Sequence, residues 1–184
     1  MRTIIVGCGR VGAGLAGLLA AAGDEVTVID LRTDSFDKLP EGFRGNAVRG
    51  DGTDEDVLRR LGAEGADRFF ALTEGDNRNI LAAQLAAETF SVPNIVAKVN
   101  DPVRATAYAS LGIATVCRTR MMVESLGAYV GLPADGGAMR VLPRTGHHAG
   151  PHSSSKGSTV TSSTVTSSTV TTAASGGTWS EDQH

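Results

Sequence analysis

The chain has 184 residues, enough for one domain with a proper core and too few for two sizeable ones. A formal net charge of −3, with both signs scattered along the sequence, gives no basic footprint for nucleic acid or an anionic membrane surface. The 2 cysteines, Cys8 and Cys117, lie far apart in no CxxC or zinc spacing, so a reducing cytoplasm is the expected compartment.

The N-terminus runs into an apolar run of strand type, Ile4 to Val6, with no signal peptide ahead of it. Gly7, Gly9 and Gly12 follow, and Leu15, Leu18 and Leu19 then recur at helical spacing, so "GCGRVG" joins a strand to a helix. In that pattern the first glycine permits a tight turn, the second a close approach of backbone to ligand, and the third packing of helix on strand. Free N–H groups and the helix dipole at such a start favour a phosphate. The glycine pattern gains weight from its setting, because a second strand, Val26 to Ile29, ends in Asp30. A carboxylate there can accept hydrogen bonds from both ribose hydroxyls of an adenosine and repels a 2′-phosphate. NAD(H), or an adenine nucleotide such as ATP or ADP, is therefore favoured over NADP(H), with Arg32 arguing weakly the other way.

Farther along, "LRTDSFDKLPEGF" reads as turns, Asn46 to Arg49 as a short strand, and "GDGTDEDVLRRLG" as a helix capped by Thr53 with Asp56. "DRFFALT" is a strand ending at Thr73, "DNRNILAAQLAAETF" an alanine-rich helix and "NIVAKVN" a strand. "DPVRATAYASLG" is a helix with Asp101 as cap and Pro102 at its first position, and "IATVCR" is a sixth strand. The alternation predicts an α/β, Rossmann-like, doubly wound parallel six-stranded sheet with helices on both faces. Ligands bind such sheets beyond the carboxyl ends of the strands, where Asp30, Asp51, Thr53, Thr73, Glu74, Asp76, Asn77, Lys98 and Asn100 gather. Thr73 and Asp76 also suit a helix cap, whereas the charge of Lys98, at the end of an apolar strand, is expected to meet an anion. Cys8 reads as a small residue fitting a crowded turn.

The longest apolar stretch, Val11 to Ala22, is too short to span a bilayer, so no direct membrane insertion is expected. Beyond about Leu132 the composition changes, and "STVTSSTVTSSTVTT" repeats every 5 residues. That period sets successive valines on opposite faces of a strand, or about 140° apart on a helix, so neither gains an apolar face. Residues 133–184 are therefore expected to be a low-complexity, disordered C-terminal tail following a domain over residues 1–132. Gly150 and Pro151 separate His148 from His152 and forbid a helical metal pair, and no metal site is expected.

Taken together, "IIVGCGRVG", "VTVID", "GDGTDEDVL", "FFALTEGDNRNILAAQLA" and "VAKVNDP" resemble the nucleotide-binding regulatory domain of Trk and Ktr potassium uptake systems, the RCK_N, KTN or TrkA-N domain. The resemblance covers roughly residues 1–130. It implies a cytoplasmic subunit, peripheral to the membrane through its partner, that binds NAD(H) or ATP/ADP and gates a membrane potassium channel or transporter. A homodimer or higher ring is implied as well, although the family usually continues into a second ligand-binding domain where this chain has its Ser/Thr tail. Carried over by position, Gly7, Cys8, Gly9, Arg10, Val11 and Gly12 wrap the phosphates, and Asp30, with Leu31 and Arg32, holds the adenosine ribose. Asp51, Gly52 and Thr53 lie beside the adenine. Thr73, Glu74, Asp76 and Asn77 lie near the second half of the ligand, and Lys98 faces phosphate. The helix "RMMVESLGAYVGL" is more apolar than a surface helix needs, and packing on a neighbouring subunit or on its own sheet both satisfy it.

A rival class is a small NAD-dependent oxidoreductase, and a third is an orphan NAD-binding interaction module. Hydride transfer needs a proton donor beside the nicotinamide and walls for a substrate. Tyr108 and Tyr129 are followed four residues on by Gly112 and Pro133, so the YxxxK pair is missing, and all 4 histidines fall in the expected tail. A non-enzymatic regulatory role therefore ranks first.

Overall fold

The computed structural model describes residues 1–133 and 139–140. Six strands run parallel: β1 (Arg2–Val6), β2 (Glu25–Asp30), β3 (Asn46–Arg49), β4 (Arg68–Ala71), β5 (Asn94–Lys98) and β6 (Ala114–Val116). Their order in the sheet is β3-β2-β1-β4-β5-β6, as expected for a doubly wound fold. A seventh strand, β7 (Met139–Arg140), adds antiparallel to β6, inside the stretch expected to be tail. Its two residues pair with a strand formed far earlier in the chain, and no local pattern announces that. The remaining tail, with its valine repeat, His148 and His152, lies outside the described residues.

Successive residues of β1 serve two cores. Ile4 and Val6 pack with Phe69, Leu58 and Ile80 on the face covered by α2 (Glu55–Arg60), α3 (Asp76–Gln84) and α4 (Pro102–Ser110). Ile5 packs with Val26 and Val28 against Ala13 and Ala16 of α1 (Arg10–Ala21) on the other. Burying each large aliphatic side chain contributes roughly 1.5–3 kcal/mol, and the two-sided core holds the carboxyl ends of the strands in fixed register. A π-helical turn, Leu85–Thr89, carries the alanine-rich helix on to Phe90.

Asp101 caps α4 as expected, its Oδ1 accepting from the N–H groups of Val103 and Arg104 at 2.8 and 3.2 Å. The cap of α2 is a correction. Asp54, not Thr53, is the N-cap and accepts from the N–H groups of Asp56 and Val57, while the Thr53 hydroxyl donates to Asp51. The last helix, α5 (Arg118–Tyr129), has no buried residue, and Met122, Leu126, Tyr129 and Val130 are all exposed, so its apolar face is not spent on its own sheet.

Candidate functional site

Three glycines shape the β1–α1 turn, each differently. Gly7 has φ +104°, and a Cβ on it would stand 2.8 Å from the backbone nitrogen of Thr73. A Cβ on Gly12 would lie 1.9 Å from the Gly7 carbonyl oxygen, so both glycines are dictated by the fold. Gly9 is different: a Cβ there would meet only Glu74 Oε1, at 3.8 Å. The protein itself leaves that space open. Gly9 is also the N-cap of α1 and has no side chain to cap it, so the first N–H groups of the helix remain available beside it.

A cavity of about 400 Å³ opens here, within the range of small-molecule sites. It lies beyond the carboxyl ends of β2, β1 and β4, at the point where the strand order reverses. Gly7, Gly9 and Arg10 line it from the turn, Asp30 from the end of β2 with Leu31 and Arg32 just beyond it, Asp51 and Gly52 from the loop before α2, and Thr73 and Glu74 from the loop after β4. Among the described residues Arg10 has no hydrogen-bond or ion-pair partner, so its cation is available to the cavity.

The carboxylates are held in place by the chain. Asp30 Oδ2 accepts from the Cys8 N–H at 2.7 Å and Oδ1 from the Arg32 N–H at 2.9 Å, so the residue at the end of β2 also clamps the glycine turn. Each carboxylate oxygen keeps a second lone pair for a ligand. Asp51 Oδ1 accepts from the Thr53 N–H at 2.9 Å and hydroxyl at 2.7 Å, and these bonds, the backbone one first, hold its carboxyl below the usual value. The Arg32 guanidinium is engaged by Asp34, which it holds below the usual carboxylate value, and so is not a free receptor for a 2′-phosphate.

Seven of the expected ligand residues stand outside the cavity lining. Cys8 offers its backbone N–H to Asp30, but its side chain is fully buried; burial first, and the charge of Asp30 second, push the thiol above its usual value. Gly12 is consumed by packing, and Thr53 orients Asp51. Asp76 caps nothing on its own helix. Its carboxylate accepts from Asn100 and Asp101 and fixes the β5–α4 turn, while Asn77 accepts from Arg104. Val11 and Lys98 line a neighbouring apolar cleft of about 450 Å³ with Met121 and Leu126, and Leu72 borders both spaces. Lys98 Nζ lies 3.6 Å from Glu74 Oε1, so the anion beside it is a carboxylate of the chain.

Sequence reasoning passed over Val6, Ile29, Ser35, Lys38, Gly50, Leu72 and Arg78, which complete the lining. It also passed over Asn79, a positioning residue. Wholly buried, Asn79 accepts from the N–H and hydroxyl of Thr73 at 2.7 Å each and donates to the carbonyls of Thr73 and Lys98, tying the ends of β4 and β5 together. An asparagine on an apolar helix face, three residues after Asp76, was its signal in the sequence. Among the described residues no group of three or more His, Cys, Asp or Glu side chains is placed to hold a metal ion, and no helix is long and apolar enough to cross a membrane.

Comparison with known proteins gives this geometry a lineage. The chain is 45% identical over 126 residues to the Trk system potassium uptake protein TrkA of Streptomyces coelicolor, covering 68% of this chain and 56% of that one. It is 35% identical over 102 residues to the protein of the same name in Vibrio alginolyticus, covering 55% and 22%. It thus spans between about a fifth and just over half of these relatives. Among solved structures, the GsuK channel bound to NAD superposes with a TM-score of 0.58 at 25% identity, over 68% of this chain and 23% of that one. The family model for the TrkA-N domain matches residues 3–119, the whole run from β1 to the start of α5, and the chain belongs to that family.

Proposed function

We propose that this chain is a cytoplasmic, nucleotide-binding regulatory subunit that gates a membrane potassium uptake channel or transporter in response to NAD(H), with ATP/ADP as the alternative ligand. The observation that carries this is the open space at Gly9, set between the uncapped start of α1, the free cation of Arg10 and the fixed carboxylate of Asp30. A diphosphate belongs over the helix start and an adenosine ribose against Asp30, with Asp51 and Gly52 on the adenine side. Membership of the TrkA-N family supports the potassium role, as do relatives named for potassium uptake and the likeness to the GsuK channel bound to NAD. The sensing unit is built on residues 1–132, and the bound nucleotide is a signal and not a reactant.

A nucleotide shifts such a device only through different affinities for two states of the assembly. Closing the cavity on a charged ligand draws the β1–α1 turn and the β4 end together, and a partner resting on exposed α5 reads the displacement. Homo-oligomerisation through that helix is part of the proposal, as is peripheral attachment to the inner face of the membrane. The test is rubidium uptake in cells lacking the resident regulatory subunit and supplied with this chain. Altered NADH/NAD ratio should change uptake by a coupling of about 1–3 kcal/mol in the wild type and leave it unchanged with Gly9→Asp. Equal nucleotide sensitivity in both overturns the gating role, and sustained NADH oxidation by the purified chain favours the oxidoreductase.

A further inference from the structure

The three carboxylates of the cavity are not equivalent. Asp30 and Asp51 are each held by donors from the chain, two backbone N–H groups in one case and a backbone N–H with a hydroxyl in the other. Glu74 receives no hydrogen bond among the described residues; its side chain is 82% exposed, and its partner is Lys98 at 3.6 Å, with a side chain only 6% exposed. That separation exceeds a hydrogen bond, so both Glu74 oxygens keep their accepting capacity. Glu74 lines the cavity and Lys98 does not, so a ligand meets the carboxylate and not the ammonium.

The position of Glu74 gives it a choice to make. Its Oε1 stands 3.8 Å from the point where a Cβ of Gly9 would be, so it overhangs the start of α1 from the β4 side. A ligand anchored at Asp30 with its diphosphate over Gly9 must pass Glu74 to extend across β4. Two kinds of continuation are available there. A third phosphate brings more negative charge and only acceptors to an acceptor-only group. The second ribose of a dinucleotide brings hydroxyl donors. We infer, resting on the nucleotide reading of this cavity, that Glu74 is a specificity-determining residue that selects an adenine dinucleotide over a nucleoside triphosphate. Its carboxylate accepts from the second ribose and repels a γ-phosphate.

The experiment is calorimetric titration of the full chain with NAD, ADP and ATP in magnesium-free buffer, with ADP as the reference that shares the adenosine diphosphate part. In wild type NAD should bind more tightly than ATP. Glu74→Gln should raise ATP affinity relative to ADP by roughly five- to tenfold, the scale of one charge pair near 4 Å in a mostly aqueous setting, and lower NAD relative to ADP severalfold. Glu74→Gln combined with Lys98→Met removes both charges and keeps the rise in ATP/ADP if repulsion is the cause. Unchanged ratios in a variant that still binds ADP overturn the selectivity role and leave the cavity assignment standing. A rise in the single variant that vanishes in the double one assigns the effect to an uncovered Lys98 and also overturns it. Failure of all three nucleotides to bind wild type overturns the cavity assignment itself.

Discussion

Removing the carboxylate of Asp30 has two separable costs. In Asp30→Ala the exposed Arg32 N–H turns to water at little loss, but the part-buried Cys8 N–H, now 2.7 Å from its acceptor, is left without one. Such an unsatisfied donor costs about 1–3 kcal/mol of folding free energy. The ligand loses hydrogen bonds from ribose hydroxyls to a charged acceptor, about 1.5–3 kcal/mol, or roughly 10- to 150-fold in Kd. Asp30→Asn separates the two, because its carbonyl can keep the Cys8 bond while its NH₂ turns away from the exposed Arg32 N–H, which water then serves. The neutral amide should retain most of the stability and still bind NADH more weakly. Urea unfolding with linear extrapolation measures the first cost and calorimetry the second. Unchanged unfolding free energy in Asp30→Ala refutes the clamp on the glycine turn, and unchanged NADH affinity in a folded variant refutes the ribose assignment.

Gly12→Ala drives a Cβ to 1.9 Å from the Gly7 carbonyl oxygen, and the backbone must part to admit it, so a loss of about 3 kcal/mol or more is expected. Gly14→Ala, one position of the same helix with nothing within 4 Å of its Cβ, should instead gain up to about 1 kcal/mol; equal urea midpoints for the two variants contradict this account of the turn. Asp51 titrates below its unfolded value, so its contribution is fully present above the ordinary aspartate pKa of about 3.9 and is lost as pH falls through the lower folded value. The gap in unfolding free energy between wild type and Asp51→Asn should therefore narrow steadily below ~pH 4 and stay level above it, and a gap independent of pH excludes the Thr53 bonds as its source.

The fold was legible because its signals are local. Strand runs such as Ile4 to Val6, the Asp101–Pro102 helix start and the Gly7, Gly9, Gly12 spacing each specify their own segment, and their alternation leaves one topology. What escaped was decided between segments or between adjacent rivals. Thr53 and Asp54 both suit a helix cap; the chain starts the helix one residue later, with Asp54 as cap and the Thr53 side chain bonded back to Asp51. Lys98 looked unpaired because Glu74 is distant in sequence and becomes its neighbour only through β4–β5 pairing. Asp76 and Asn77 sit beside ligand-facing residues in the chain, yet helical rotation turns them toward α4 and its preceding turn. Met139–Arg140 joined the sheet through a partner that local composition does not reveal.

The measurement that bears most directly on the site is calorimetric titration of NADH into the wild-type chain and into Gly9→Asp. The Cβ of the new residue enters space that the protein leaves empty, with Glu74 Oε1 at 3.8 Å, so the variant should still fold, with a modest shift of its unfolding midpoint from the added charge beside Glu74. Wild type should bind NADH saturably at a single site and return it chemically intact, while folded Gly9→Asp should show no binding heat. Equal NADH affinity in the two folded proteins would place the nucleotide elsewhere and contradict the assignment of the glycine turn as its phosphate cradle.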